Sequence, residues 1–448
     1  MSQHRINDNS KTKSGDFNCI KNLVGKIENK TLEQLKKEGV FVFPDVLEDV
    51  EDQERSQDLT KNQMILQKVN ESYQTGNVMG FIGCGNERLV ISSRFSRDDK
   101  DYFFHYMLEK VLDVPNIFDL ETDSNEDNRL FSFLIFLFPK YLKDAMRKGL
   151  YKKYILHQYN DGNVKGTIDI ARHIKRNIPF VGKIAYNQRE FSYDNHLMQL
   201  VRHTIEFIKR NKNGNQLLSR VKDEVSLVVQ ATQSYEFYDR QKIIDTNKKN
   251  RVQHAYYHEY QALQRLCLMI LQHKKHQVGI GSQQIYGILF DGAWLWEEYI
   301  NTLIEKDFHH PMNKGGKGAQ WLFESSGKKI GLIYPDFIGK DPSNRVIADA
   351  KYKPIENIGN RDYFQVLAYM YRFDAKKGYY LYPEADGQEP VKLKLNSGNT
   401  FDSEVKARDD VFVIKLGLKI PSCEGLYNDF IESIVGYENE FKNKICIV

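Results

Sequence analysis

At 448 residues the chain is too long for one hydrophobic core, and two or three domains are expected. Its 41% hydrophobic and 28% charged residues are ordinary for a globular protein. A formal net charge of +4 excludes a polycation, so a nucleic-acid surface has to be a local patch. The five cysteines, Cys19, Cys84, Cys267, Cys423 and Cys446, are scattered and form no CxxC pair. That argues against a disulfide scaffold or structural zinc and points to the reducing cytoplasm. The polar N-terminus has no apolar signal core. The greasiest stretch, Phe131–Pro139, is far too short to span a bilayer, so no membrane is expected.

In chain order, residues 1–18 read as a loose tail. Thr31–Gly39 reads as a short helix, Val40–Phe43 as a strand, and Leu47–Asp58 as an acidic, solvated run. Asn77–Phe95 reads as a hairpin turning at Gly85-Asn86-Glu87. Its GFIGCG string opens no helix and precedes no Lys-Ser or Lys-Thr pair, so it is not a phosphate loop. Tyr102–Leu112 should be helical, and Leu130–Leu150 a longer helix broken near Pro139. Val164–Ile170 and Ile184–Ser192 read as strands flanking a basic segment, Ala171–Asn177. Helical periodicity runs over Asp194–Arg210, Leu217–Thr232 and Ala255–Gln272. His254 and His258 stand at i, i+4, but no third ligand follows. They read as satisfied or exposed histidines, as do His273, His276, His309 and His310. Gly279–Gly287 reads as a boundary, and Asp291 as the cap of a helix from Ala293 to Lys306. The basic loop Asn313–Gly318 does not meet GxxxxGK[ST], so the chain shows no nucleotide-hydrolysis motif. Strands are expected at Gly378–Pro383 and Val411–Leu418, and a closing helix at Leu426–Lys442.

The stretch Lys329–Pro354 carries the chemistry. Ile330–Ile338 and Arg345–Tyr352 read as two strands joined by the turn formers Gly339–Asn344. Asp336 lies on the first and Asp349 on the second, and alternation puts Lys351 on the same face as Asp349. Two acids hold a hard divalent cation through oxygen, and a lysine orients water or offsets developing charge. Pro44-Asp45, Asp374-Ala375-Lys376 and Glu404-Val405-Lys406 are decoys for the same short strings. Downstream, Gln365 and Tyr369 share one face of a helix over Asp362–Met370. Upstream, Glu297 falls with Ile300 and Ile304 on an apolar helix face, a costly place for an unpaired carboxylate. It is the better candidate for a third acid than Glu298, which falls among polar neighbours.

Pro335-Asp336 and Asp349-Ala350-Lys351 resemble the PD-(D/E)xK nuclease motif, and the QxxxY helix resembles that of RecB-like nucleases. More of the chain resembles McrC, the nuclease subunit family of McrBC-type (LlaJI-like) restriction systems. The resemblance rests on VISSRF (90–95), VKGTIDIARHIKRN (164–177), QREFSYDNHLMQLVRHTIEFI (188–208), LWEEYI (295–300), YPDF (334–337), DAKYKP (349–354) and YFQVLAYMY (363–371). It implies an α+β multidomain chain: a loose tail (1–18), a β-rich partner-docking part (19–150) and a mixed, helical connector (151–275). A C-terminal α/β nuclease with a central mixed sheet (276–448) completes it. It implies catalytic and metal-binding Asp336, Asp349 and Glu297, catalytic Lys351, and supporting Gln365 and Tyr369. The cofactor would be Mg²⁺ or Mn²⁺, and GTP would be bound by a partner, an McrB-like AAA+ GTPase ring. The implied activity is cleavage of double-stranded DNA in a GTP-dependent, modification-dependent restriction complex. A catalytically inert activator of such a ring and a stand-alone DNA repair nuclease are the alternative readings.

Overall fold

The computed structural model describes residues 2–38, 40–43, 63–97, 100–112, 126–211, 214–252, 255–278, 285–311, 318–385, 387–398, 405–422 and 425–447. Pro44-Asp45, the acidic run 47–58, His254, Gly279, Glu404 and residues 313–317 of the basic loop lie outside the described residues.

The N-terminal stretch forms β1 (Ser2–Asn7), β2 (Lys11–Lys13), α1 (Lys21–Ile27), α2 (Leu32–Glu38) and β3 (Val40–Phe43). It continues with β4 (Leu66–Val69), β5 (Ser72–Thr75), β6 (Val78–Cys84), β7 (Glu87–Ser92) and α3 (Tyr102–Leu112). The helix, the strand and the hairpin expected between Thr31 and Phe95 are all present. The loose tail is not. β1 pairs in parallel with β7 from Ser2 to Asn7. Phe17 is buried, its ring against His4 and Tyr73 at 4.6 and 4.9 Å. The polar composition of the tail hid the two apolar anchors, Ile6 and Phe17, that tie it down.

The middle stretch forms α4 (Glu126–Met146), β8 (Lys153–Asp161), β9 (Thr167–Ile168), α5 (Ile170–Asn177) and β10 (Ile184–Ser192). Five helices follow: α6 (His196–Lys209), α7 (Gly214–Ser219), α8 (Lys222–Ala231), α9 (Arg240–Lys249) and α10 (His258–Val278). Helix α4 runs through Pro139 without the expected break. An internal proline costs about 3 kcal/mol. Phe138 and Leu142 beside it are fully buried, and burial of each such side chain returns about 1.5–3 kcal/mol. The strand expected over Val164–Ile170 shrinks to β9, because Asp169 turns the chain into α5 by accepting the Arg172 amide at 3.0 Å. The single helix expected over Leu217–Thr232 is two, α7 and α8.

The C-terminal stretch forms β11 (Ile285–Asp291), α11 (Gly292–Ile304), β12 (Phe308–His309), β13 (Gln320–Ser325), β14 (Lys328–Ile333) and β15 (Phe337–Gly339). It ends with β16 (Val346–Ala350), α12 (Asn360–Arg372), β17 (Lys377–Glu384), β18 (Val391–Ser397), β19 (Lys406–Lys419) and α13 (Tyr427–Ile447). Six strands make a mixed sheet in the order β12-β15-β16-β17-β19-β18. β16, β17 and β19 run parallel at its centre. The expected hairpin differs in its first arm. β14 pairs with β13 in a separate ribbon, and only β15 meets β16, with Phe337 opposite Ala348. Pro335 has no amide hydrogen to continue the ladder, so one expected strand becomes two.

Contacts divide the chain into two units, Met1–Phe118 with Ile280–Val448, and Asp119–Gly279. This differs from an N-terminal part ending near 150 and a separate C-terminal domain. The cause is β11. It lies between β6, antiparallel, and β3, parallel, in a sheet of order β1-β7-β6-β11-β3. The close approach depends on Gly80, at φ +131°, where a Cβ would stand 2.2 Å from the Ile288 carbonyl oxygen. Ile285 and Leu289 complete a core otherwise built from residues 6–91.

A fragment of residues 276–448 exposes both hydrogen-bonding edges of β11 and is expected to be insoluble. Co-production with residues 1–118 should restore solubility. A soluble, cooperatively melting 276–448 fragment on its own would contradict this assembly.

Candidate active site

Helix α11 starts where Asp291 Oδ1 accepts the amides of Ala293 and Trp294 at 2.9 and 3.3 Å, the expected cap. Its inner face is fixed by buried polar tips. Trp296 Nε1 donates to the Leu381 carbonyl of β17 at 3.0 Å. The Tyr299 hydroxyl donates to Glu438 Oε1 at 2.8 Å, and the Tyr106 hydroxyl donates to the same oxygen at 2.9 Å. This anchoring leaves Glu297 and Glu298 both partly buried, so facing alone does not separate them. Their surroundings do. Glu298 Oε1 accepts Trp294 Nε1 at 3.2 Å, whereas the charge of Glu297 acts on Asp336.

Asp336 sits in the break between β14 and β15, and its Oδ2 accepts the Ala350 amide at 2.8 Å. Asp349 is on β16, paired across the ladder with Tyr380. Lys351 extends that ladder by donating its amide to the Leu381 carbonyl at 2.8 Å. The alternation read from the sequence holds: Lys351 Nζ stands 2.5 Å from Asp349 Oδ2. The QxxxY helix also arrives. Lys351 Nζ donates to Gln365 Oε1 at 3.2 Å, Gln365 Nε2 to the Tyr369 hydroxyl at 2.7 Å, and Tyr369 to the Tyr334 carbonyl at 3.2 Å. The sheet, α11 and α12 thus bring Asp336, Asp349, Lys351, Glu297, Gln365 and Tyr369 to one place.

The electrostatics follow from crowding without water. Burial pushes Asp336 well above the usual carboxylate range, and the charges of Glu297 and Asp349 push the same way. Burial also raises Asp349, against the opposing pull of Lys351. Burial disfavours the Lys351 ammonium, but Asp349 and Asp336 outweigh it and raise its pKa.

Three residues of the site had no role in the sequence reading. His310, read as ordinary, has Nε2 3.7 Å from Glu297 Oε1 and 3.6 Å from Glu298 Oε1. Its Nδ1 lies 2.9 Å from the Asp336 carbonyl oxygen. Burial lowers its pKa, yet Glu298 and Asp336 reverse the sign and raise it. The two-residue strand β12, pairing His309 with Ile338, places it there, and so short a strand leaves no periodic signal. Asp362 accepts Lys353 Nζ at 2.9 and 2.7 Å and the Gly359 amide at 2.9 Å, and stands 3.7 Å from Lys351 Nζ. Lys353 stands two residues after the DxK string, a proximity that could have drawn notice. The decoys stay away: Asp374 is in the left-handed turn ending α12, and Lys406 opens β19 in an exposed position.

Among the described residues, no three His, Cys, Asp or Glu side chains close into a ready ion cage. The donor set still fits a hard divalent cation. Asp336, Asp349 and Glu297 offer only oxygen, and their mutual repulsion in a buried setting is met by one ammonium.

A family model described as McrBC 5-methylcytosine restriction system component matches residues 73–383. No curated protein matches. One similar solved structure is a refined half-complex from the tetradecameric assembly of Thermococcus gammatolerans McrB AAA+ hexamers with bound McrC. It is 14% identical, covers all of both chains and has a TM-score of 0.50. Another is the Thermococcus gammatolerans McrBC complex, 15% identical, covering 68% of this chain and 87% of that one at a TM-score of 0.33. The first likeness extends over the whole fold, and the family model spans both motifs of the acid cluster and the strands that carry them; the chain belongs to the family of McrBC 5-methylcytosine restriction system components.

Proposed function

We propose that this chain is the DNA-cleaving subunit of a restriction complex, hydrolysing phosphodiester bonds at the acid cluster of a PD-(D/E)xK nuclease fold. The observation that carries the reading is the meeting of Asp336, Asp349 and Glu297 with the Lys351 ammonium, from three separate elements. Asp336, Asp349 and Glu297 would hold Mg²⁺ or Mn²⁺, which supplies a Lewis acid for the phosphate and an acidified water. Lys351 offers a fixed positive charge beside Asp349, suited to orienting the attacking water and offsetting charge on the pentavalent phosphorus. Gln365 fixes the direction of that ammonium, and Tyr369 fixes Gln365. Asp362 holds Lys353 and adds a second carboxylate near Lys351.

The partner in this reading is an AAA+ GTPase ring; the similar solved assembly holds McrB AAA+ hexamers with bound McrC. The ring would bind and hydrolyse GTP, and this chain would stimulate it. In place of the 19–150 part in which the resemblance implied docking, we place it on the Asp119–Gly279 unit, on elements of the 151–275 connector. Ile170, Ile178, Phe180 and Val181 are there 68%, 68%, 67% and 62% exposed. On the neighbouring sheet Tyr154 and Phe191 stand opposite each other with ring centroids 4.8 Å apart, both exposed. Apolar exposure this dense marks a protein-binding face. Lys175, Arg176 and Arg189 on the same elements give it a basic rim.

The test is cleavage of methylated plasmid by the chain mixed with its ring partner and GTP. Cleavage should require Mg²⁺ or Mn²⁺ and stop in chelator. Asp349→Ala should lower it by at least about 100-fold and leave GTP turnover intact. Equal cutting by wild type and Asp349→Ala would sink the assignment.

Gln365→Ala leaves all the acids in place and removes one hydrogen bond from the lysine. It should slow cleavage about 10- to 100-fold, the usual cost of losing a supporting contact. An unchanged rate would show that Gln365 does not support the lysine.

Phe180→Glu with Ile174→Glu, the latter on α5 and 53% exposed, should abolish stimulation of GTP turnover without lowering the melting temperature of the chain. Normal stimulation by this double variant would move the docking face elsewhere.

A further inference from the structure

Two family segments, VISSRF (90–95) and DAKYKP (349–354), lie far apart in sequence, and the proposed chemistry uses only the second. The structure joins them at Tyr352. This side chain is 3% exposed, and its hydroxyl lies 2.7 Å from Ser93 Oγ and 3.3 Å from Met79 Sδ. The Phe95 ring meets it edge-on at 5.0 Å, and the Arg94 guanidinium lies over it at 4.8 Å. Gly292 presses against the ring; a Cβ there would stand 2.7 Å from Tyr352 Cε1. Arg94 Nη2 also donates to the Tyr352 carbonyl at 3.2 Å and to Asn77 Oδ1.

Arg94 is itself held. Its amide donates to Asp8 Oδ1 at 2.7 Å, and its Nη2 stands 3.0 Å from Asp8 Oδ2. Asp8 is fully buried, so removing the Arg94 charge would leave a buried carboxylate without its partner. The Ser93 amide is fixed by Asp101 Oδ2 at 3.0 Å.

Tyr352 is also the pivot where the strand ends. The Lys353 amide donates to the Lys351 carbonyl at 2.8 Å, closing a three-residue turn centred on Tyr352. Lys351 faces the acids, and Tyr352 points the opposite way into the N-terminal socket. The backbone between them is therefore clamped from behind by residues 93 and 94.

We propose that Arg94 and Ser93 are positioning residues for phosphodiester cleavage, setting the reach of the Lys351 ammonium by holding the carbonyl, ring and hydroxyl of Tyr352. This rests on the nuclease reading above. Neither residue touches substrate, and both act through Tyr352.

Three variants test it in the full chain with its ring partner. Tyr352→Phe and Ser93→Ala remove one hydrogen bond from either side. Arg94→Lys keeps a charge opposite Asp8 and loses the fork that reaches the Tyr352 carbonyl. Each should cut about 10- to 100-fold more slowly at saturating DNA, with KM for DNA, melting temperature and GTP stimulation at wild-type values. A second readout does not depend on cutting: acylation of the Lys351 amine, followed by mass spectrometry of the intact complex, should be several-fold faster in each variant. Wild-type Lys351 labelling in all three overturns the positioning role, whether or not cleavage is seen. Slower cutting that tracks a fall in melting temperature, with labelling unchanged, also overturns it and leaves a structural role only. Wild type failing to cut, with labelling still accelerated in the variants, sinks the nuclease reading and keeps the clamp.

Discussion

A lysine ammonium and an aspartate carboxylate 2.5 Å apart, both nearly closed to solvent, set the terms for the C-terminal sheet. Removing two such charges from water costs several kcal/mol per ion, and their attraction offsets this only with further hydrogen bonds. Lys351 finds one in Gln365 and a second carboxylate in Asp362. Asp362 is in turn saturated by Lys353 and the Gly359 amide, and its carbonyl accepts the Tyr380 hydroxyl at 2.7 Å. The start of α12 and the end of β16 are thus parts of one charge-compensation scheme. Burial keeps Asp362 from being still more acidic, but Lys353 and Lys351 prevail and hold it below the usual carboxylate range.

The same economy governs α11. Its apolar face is crowded with large rings whose polar tips all find partners, Trp296 on Leu381 and Tyr299 on Glu438. A helix seated this firmly delivers Glu297 to a defined depth beside Asp336. The side chains proposed to act come from α11, the break between β14 and β15, β16 with its end, and α12, and the N-terminal sheet is the frame against which two of these elements are set. β11 leads straight into α11, and Tyr352 leads straight out of β16.

Much of this was legible in the sequence. Regular elements with a clear period, such as α3 over Tyr102–Leu112 or the hairpin β6-β7, fell where the pattern put them. The acids and lysine of the site came together because a strand's alternation and a helix's i, i+4 spacing are local geometry. What the sequence hid was non-local. Nothing in Ile285–Asp291 announces that its partners are residues 40–43 and 78–84. His310 is invisible because β12 is two residues long. Pro139 misled because burial on both sides of it overrode a local rule. The tail misled because two anchors in a polar stretch do not register as a pattern.

The central place of β11 also dictates when the acid cluster can be assembled. During synthesis, β3 and β6 leave the ribosome with an empty slot between them. Its occupant follows roughly 200 residues later, a wait on the order of 10–40 s at ~5–20 residues per second. The Asp119–Gly279 unit is made in that interval and can fold while the slot stays open. The acids of the site come later still, on α11 and on the C-terminal sheet. A chain that stalls or is clipped before β11 therefore carries no acid cluster, and one that loses its start has no frame to hold one. That order of assembly withholds the acid cluster until the N-terminal frame and the C-terminal sheet are both present.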